Sequence, residues 1–180
     1  MRHILSALTL IVLMAGVAQA APADGISAQD AFAKLQTLAG TWSGSAGGEG
    51  EEAEAEAETA GTVVHDFRVS AAGTVVMETM GPGSDHEMIN MYHLDGEELV
   101  LTHYCAGGNQ PTMRLDRDAS SADEMVFVFT GGTNLDPDVD HHIHDAKISI
   151  GDDGIVSFWR SFGEGVETGT MTFTLTREME

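Results

Sequence analysis

The chain has 180 residues, with eight basic residues against twenty-nine acidic ones, a net charge of −21. A surface this acidic repels phosphate backbones and anionic lipid heads, so neither nucleic acid nor a membrane surface is an expected partner. A single cysteine excludes an intramolecular disulfide, and a domain of roughly 160 residues buries enough surface to be stable without one.

The first twenty residues read as an address. Arg2 supplies a positive start, and Ile4 to Val17 form an apolar run too short to span a bilayer comfortably. Ala18-Gln19-Ala20 completes the small-x-small cleavage pattern. The sequence therefore predicts a signal peptide over 1–20, a mature start at Ala21 and export to the periplasm or beyond. No Cys follows the apolar run, so no lipid anchor is expected.

Residues 21–26 read as a flexible lead, followed by one domain over 27–180. Ser27 is placed to cap a helix, with Asp30 three residues on. Ala28, Phe32, Leu35 and Leu38 form one apolar stripe, and Gly40 ends it. Then comes an acidic low-complexity stretch, about 45–61, with five glutamates from Glu51 to Glu58. Like charges repel and no apolar face is present, so a solvated loop is expected.

Beyond Gly61, short runs of Val, Phe, Thr and Met alternate with Gly and Asp punctuation. Thr170–Arg177 is the clearest strand, with Met171, Phe173 and Leu175 on one face and threonines on the other. By the same period His65 joins Val63, Phe67 and Val69. His103 and Cys105 join Leu99 and Leu101, and His142 and His144 join Ala146, Ile148 and Ile150. Further strands are predicted at 41–45, 73–80, 86–94, 111–116, 125–130 and 155–162. Met77, Met113, Met125 and Met171 are expected in the core, and Cys105 is expected to be buried. Asp95-Gly96 and Asp153-Gly154 are hairpin-turn dipeptides. The sum is an all-β chain with about ten antiparallel strands in an up-and-down barrel, plus one short N-terminal helix. One register stays open. A two-residue turn at Asp95-Gly96 turns Asn90 and Tyr92 toward the side of His103, whereas a three-residue turn presents Met91 and His93 instead.

Leu38-Ala39-Gly40-Thr41-Trp42-Ser43-Gly44 and Leu175-Thr176-Arg177 resemble the two ends of a calycin barrel, the lipocalin-like and nitrobindin-like group. Met91–Gly96, Thr102–Cys105, Gly108–Pro111 and His142–Asp145 resemble more closely an uncharacterised family of bacterial exported lipocalin-like proteins, over residues 30–178. The resemblance implies a barrel whose closed end holds Trp42 with Arg177 across its ring, both in structural roles. Ala46 departs from the nitrobindin-like Gly-x-Trp-x-Gly-x-Gly start, and no haem-ligand histidine can be matched, so haem is not carried over.

Histidine is the main chemical signal. His65, His103, His142 and His144 fall on apolar faces, where an imidazole must find hydrogen-bond partners. Imidazoles sharing one interior suit a transition metal or the polar head of a ligand. His142-x-His144 alone does not close a metal site. Asp136, Asp138 and Asp140 imitate a calcium loop, but His141 and Lys147 stand where Gly and Glu are required. His86-Glu87 with His93 lacks the helical spacing of a zinc protease. No third group orients a Cys105–His103 pair, and no catalytic motif is present.

The first reading is thus a non-catalytic barrel that holds a small apolar or amphipathic molecule against His65, Asn90, Tyr92, His103, Cys105, His142 and His144. The second is a metal-binding protein using His103, His142 and His144. The third is a small enzyme of unspecified substrate.

Overall fold

The computed structural model describes residues 25–49 and 61–179. The predicted signal peptide, most of the lead and the glutamate run at 51–58 lie outside the described residues. Ten antiparallel strands close into one barrel: β1 (Gly40–Glu49), β2 (Val63–Ser70), β3 (Val75–Met80), β4 (Met88–Asp95), β5 (Glu98–Tyr104), β6 (Gln110–Leu115), β7 (Glu124–Thr133), β8 (His142–Gly151), β9 (Gly154–Gly163) and β10 (Val166–Arg177). Each strand pairs with the next in sequence, and β10 returns to pair with β1. Closure leaves no free sheet edge. Among the described residues no helix is long and apolar enough to cross a membrane.

The one α-helix among the described residues, α1 (Ala28–Gln36), forms as its sequence dictates. The Ser27 hydroxyl accepts from the Asp30 backbone N–H at 3.0 Å, which satisfies one of the open donors of the first turn. Ala28, Ala31, Phe32 and Leu35 are buried and belong to the same apolar cluster as the barrel interior. The helix covers one end of the barrel. Gln36 Nε2 donates to the Gly73 carbonyl in the β2–β3 connection at 2.8 Å, and α1 packs against β4 and β5.

Trp42 and Arg177 sit at this covered end. The Arg177 guanidinium lies 4.4 Å from the centroid of the Trp42 ring. Its Nη1 and Nη2 donate to the carbonyls of Ala39 at 2.7 Å and Thr37 at 2.8 Å. Trp42 Nε1 donates to Leu38 O at 2.8 Å. One arginine therefore caps the carbonyls that follow α1 and stacks on the indole below. Gly40 makes room for it. At φ +130° a Cβ on Gly40 would stand 2.7 Å from Arg177 Nη1, in a backbone region that L side chains rarely adopt.

The interior is filled by side chains. Tyr92, Leu101, Met113, Met125, Phe127 and Trp159 are all almost fully buried. The β4–β5 turn has two residues, as one of the open registers required, but it is Gly96-Glu97, because Asp95 pairs with Glu98. A shift of one residue in both arms keeps parity, so Asn90 and Tyr92 turn inward with His103. The β8–β9 turn is likewise Asp152-Asp153, since Gly151 pairs with Gly154.

Four local expectations are corrected. Residues 45–49 are not loop: β1 continues to Glu49, paired with Thr170, because backbone pairing along the long β10 needs no apolar side chain. Met77 faces outward, and Val76, Glu78 and Met80 are the buried side of β3. Cys105 lies just past the end of β5 and is only partly buried. Its thiol accepts from the Gly107 N–H at 3.3 Å. Finally, the alternation on β8 is broken between Ile143 and Asp145 by a register shift against β9.

Candidate functional site

A row of three polar residues crosses the inner wall. Glu78 pairs with Asn90 across β3 and β4, and Asn90 pairs with His103 across β4 and β5. All three are essentially buried, as is His65, two residues along β2 from the partner of Glu78. A buried carboxylate must be paired and hydrogen-bonded, and this one is. His65 Nδ1 stands 2.8 Å from Glu78 Oε1. Asn90 Nδ2 and Tyr92 Oη donate to Glu78 Oε2 at 2.8 and 2.7 Å. Burial pushes the Glu78 carboxyl up, but the hydrogen bond and charge of His65, with the Tyr92 and Asn90 bonds, outweigh it and hold the group below its ordinary value. Glu78 is therefore ionised. Burial, then the charge of Glu78, drives the Tyr92 phenol well above its ordinary value, so it stays a donor.

The ionised carboxylate sets the protons around it. It can only accept, so Asn90 must turn its NH2 toward Glu78 and its Oδ1 away. That oxygen lies 2.7 Å from His103 Nδ1, so Nδ1 carries the hydrogen and donates. In a neutral ring Nε2 then holds a lone pair. Burial lowers the His103 pKa to about 4, against the smaller opposing pull of Glu78, so the ring is neutral at physiological pH. Nε2 is fully buried and has no hydrogen-bond partner among the described residues. The Trp159 ring lies 5.8 Å away, centroid to centroid.

Asn109 carries a second unmatched acceptor. Its Nδ2 donates to the His141 carbonyl at 2.7 Å, and its buried Oδ1 has no partner. Its backbone carbonyl accepts from the Cys105 N–H at 3.1 Å, which continues the β5–β6 pairing one step past the strand ends. Asn109 therefore stands beside Cys105, two residues beyond His103, on the same face by the two-residue period.

His142 and His144 form a separate group at the end of the barrel opposite α1. His142 Nδ1 faces the Asp140 carbonyl at 2.9 Å, and its Nε2 lies 3.1 Å from His144 Nδ1. With both rings neutral, His142 donates to Asp140 and accepts from His144. His144 is held between Phe129 and Phe162, with centroids 4.8 and 4.1 Å away and the rings near parallel. Burial, followed by the charge of His142, lowers the His144 pKa.

The expected set His103, His142 and His144 is not brought together as metal ligands. Among the described residues no three His, Cys, Asp or Glu side chains are placed to hold a metal ion. The reason lies in the partners. Asn90 engages His103, while His142 and His144 engage each other across the register shift of β8. Sequence reasoning placed His65, Asn90, Tyr92 and His103 among the candidates but missed Glu78, which organises them, and Asn109, which carries the second unmatched acceptor. Tyr92 and Asn90 converging on β3 was a usable signal, because two buried donors require an acceptor. Two surface depressions also occur. An open groove of about 670 Å³ runs along Ser45–Glu49 with Thr170, Thr172, Thr174 and Phe158. A smaller one of about 380 Å³ lies at Gly25 and Leu115–Asp118. Neither is lined by the histidines.

No protein-family model matches this sequence, and no curated protein is significantly similar to it. The fold and the buried network define the class: a closed ten-stranded meander barrel with a carboxylate–amide–imidazole relay in its wall.

Proposed function

We propose that this is an exported lipocalin-like protein that binds a small molecule at the end of its barrel remote from α1, against His103 and Asn109. The observation that carries the reading is the pair of buried acceptors, His103 Nε2 and Asn109 Oδ1, that no donor among the described residues reaches. A buried acceptor without a donor costs on the order of 1–3 kcal/mol, and a bound molecule or water that donates to it removes that cost. Barrels of this size are built to hold one small ligand or to be filled by their own side chains. The described interior is largely filled, so binding requires the connections at 105–109 and 134–141 to open. The apolar surroundings of Trp159, Met113 and Phe129 suit an amphipathic guest.

Native mass spectrometry of protein purified gently from its source tests this. A bound species that is present in the wild type and lost in His103→Leu supports the reading. Unliganded protein in both, together with no shift on adding small aromatic alcohols or amines, overturns it. N-terminal sequencing of the recovered protein tests export, and a chain starting at Ala21 is expected.

A further inference from the structure

The polarity of the two unmatched atoms is fixed by different partners. Glu78 is surrounded by three donors, so the Asn90 amide cannot be reversed without setting an oxygen against a carboxylate. That orientation makes His103 Nδ1 the donor to Asn90 and leaves Nε2 as an acceptor. At Asn109 the His141 carbonyl can only accept, so Nδ2 must face it, and Oδ1 is left as the other acceptor. Neither conclusion depends on the other. We infer that His103 Nε2 and Asn109 Oδ1 form a two-acceptor subsite that selects ligands bearing N–H or O–H donors and rejects carboxylates and other head groups that only accept. The inference rests on the binding reading above and specifies its chemistry.

Three further points support the selection. With Nδ1 holding the hydrogen, Nε2 cannot become a donor at neutral pH, because burial keeps protonation of the ring down to about 4. Glu78, one amide away, adds negative potential that opposes an anion. A head group with two donors, such as a vicinal diol or a primary amide, can bridge both atoms, since Asn109 continues the β5–β6 pairing opposite Cys105 and so stands diagonally across from His103, a separation of roughly 7–8 Å at Cα. Rejection of an isostere without a donor is strong when it leaves a buried acceptor unpaired.

The test has two arms on the full mature chain. Long-range ¹H–¹⁵N correlation at neutral pH reads the His103 tautomer directly, and Nδ1–H with a bare Nε2 is expected. Matched probes are then titrated: indole against benzofuran, phenol against anisole and benzoate, and catechol against phenol. The donor-bearing member of each pair should bind at least about tenfold more tightly, the factor that one unpaired buried acceptor commands, and should move the His103 Nε2 resonance. In Asn109→Leu, with the His103 tautomer signal retained as proof of folding, the advantage of catechol over phenol should vanish. An Nε2–H tautomer overturns the inference whatever binds. Equal affinity for donor and acceptor isosteres overturns it while leaving a binding barrel. Failure of every probe, with a long-lived water detected at His103, overturns both readings, because solvent then satisfies the acceptors.

Discussion

Asn90 stands directly across from His103 on the neighbouring strand, and its side-chain oxygen takes the His103 Nδ1 hydrogen at 2.7 Å. That contact passes the charge of Glu78 through an amide to an imidazole in the middle of an apolar barrel. Most of what can be tested in this protein follows from it.

Glu78→Gln should destabilise the fold by about 2–4 kcal/mol, because the charge-assisted bonds from Asn90 and Tyr92 become neutral ones and His65 must surrender its Nδ1 hydrogen to face the new NH2 group. Met77→Gln, on the outward face of the same strand, should change stability by less than about 0.5 kcal/mol. Urea unfolding of both variants checks the contrast, and equal effects would show that β3 is turned the other way.

Stability should fall as the medium is acidified. Unfolded His103 takes up a proton near its ordinary 6.5, whereas the folded ring resists until about 4. Between those values unfolding binds a proton, so the folded state loses roughly 3 kcal/mol over the window. His144, also lowered, acts in the same direction. Unfolding free energies measured at several pH values should slope downward below pH 6.5. His103→Gln should flatten that slope.

The midpoint of His144 should rise in His142→Phe. Burial is the larger cause of its lowered value, so the shift will be partial, but the charge of His142 is the second cause and the variant removes it. Imidazole proton shifts followed by NMR titration give the answer, and an unchanged midpoint would mean the two rings do not sense each other.

At the covered end, Arg177→Ala should cost about 1–2 kcal/mol, combining a cation–π contact with two hydrogen bonds to carbonyls. Arg177→Lys should recover little, because an ammonium cannot bond both carbonyls while lying flat on the indole. Gly40→Ala should be at least as damaging, since the added carbon meets the guanidinium at a backbone angle of +130°. Thermal unfolding followed by the combined emission of Trp42 and Trp159 reads all three.

Much of the barrel was legible before any coordinates. The threonine face of residues 170–176, the Ser27 cap and the punctuated runs after Gly61 each report a local rule that tertiary context did not override. The inner network was only half legible. Asn90 and Tyr92 depended on a turn whose length, not its composition, decides which face they occupy. Glu78 was hidden because a run of Val75, Val76, Met77 and Met80 shows no clean alternation, and a carboxylate in it reads as the solvent side. The register shift between Ile143 and Asp145 has no mark in composition. Nor does composition show that Asn90 engages His103 while His142 and His144 engage each other.

The seam of the ring joins its first strand to its tenth, so the hydrogen bond from Thr176 to Ser43 spans 133 positions and those of Arg177 reach as far as 140. The first nine strands can zip to their neighbours as each hairpin is made, but the last bond of the cylinder has to wait for β10. Until then both flanks present raw strand edges, which invite pairing with another chain. Such distant pairing also makes for slow folding, in milliseconds to seconds. Removal of β10 should therefore yield aggregates, not a nine-stranded barrel.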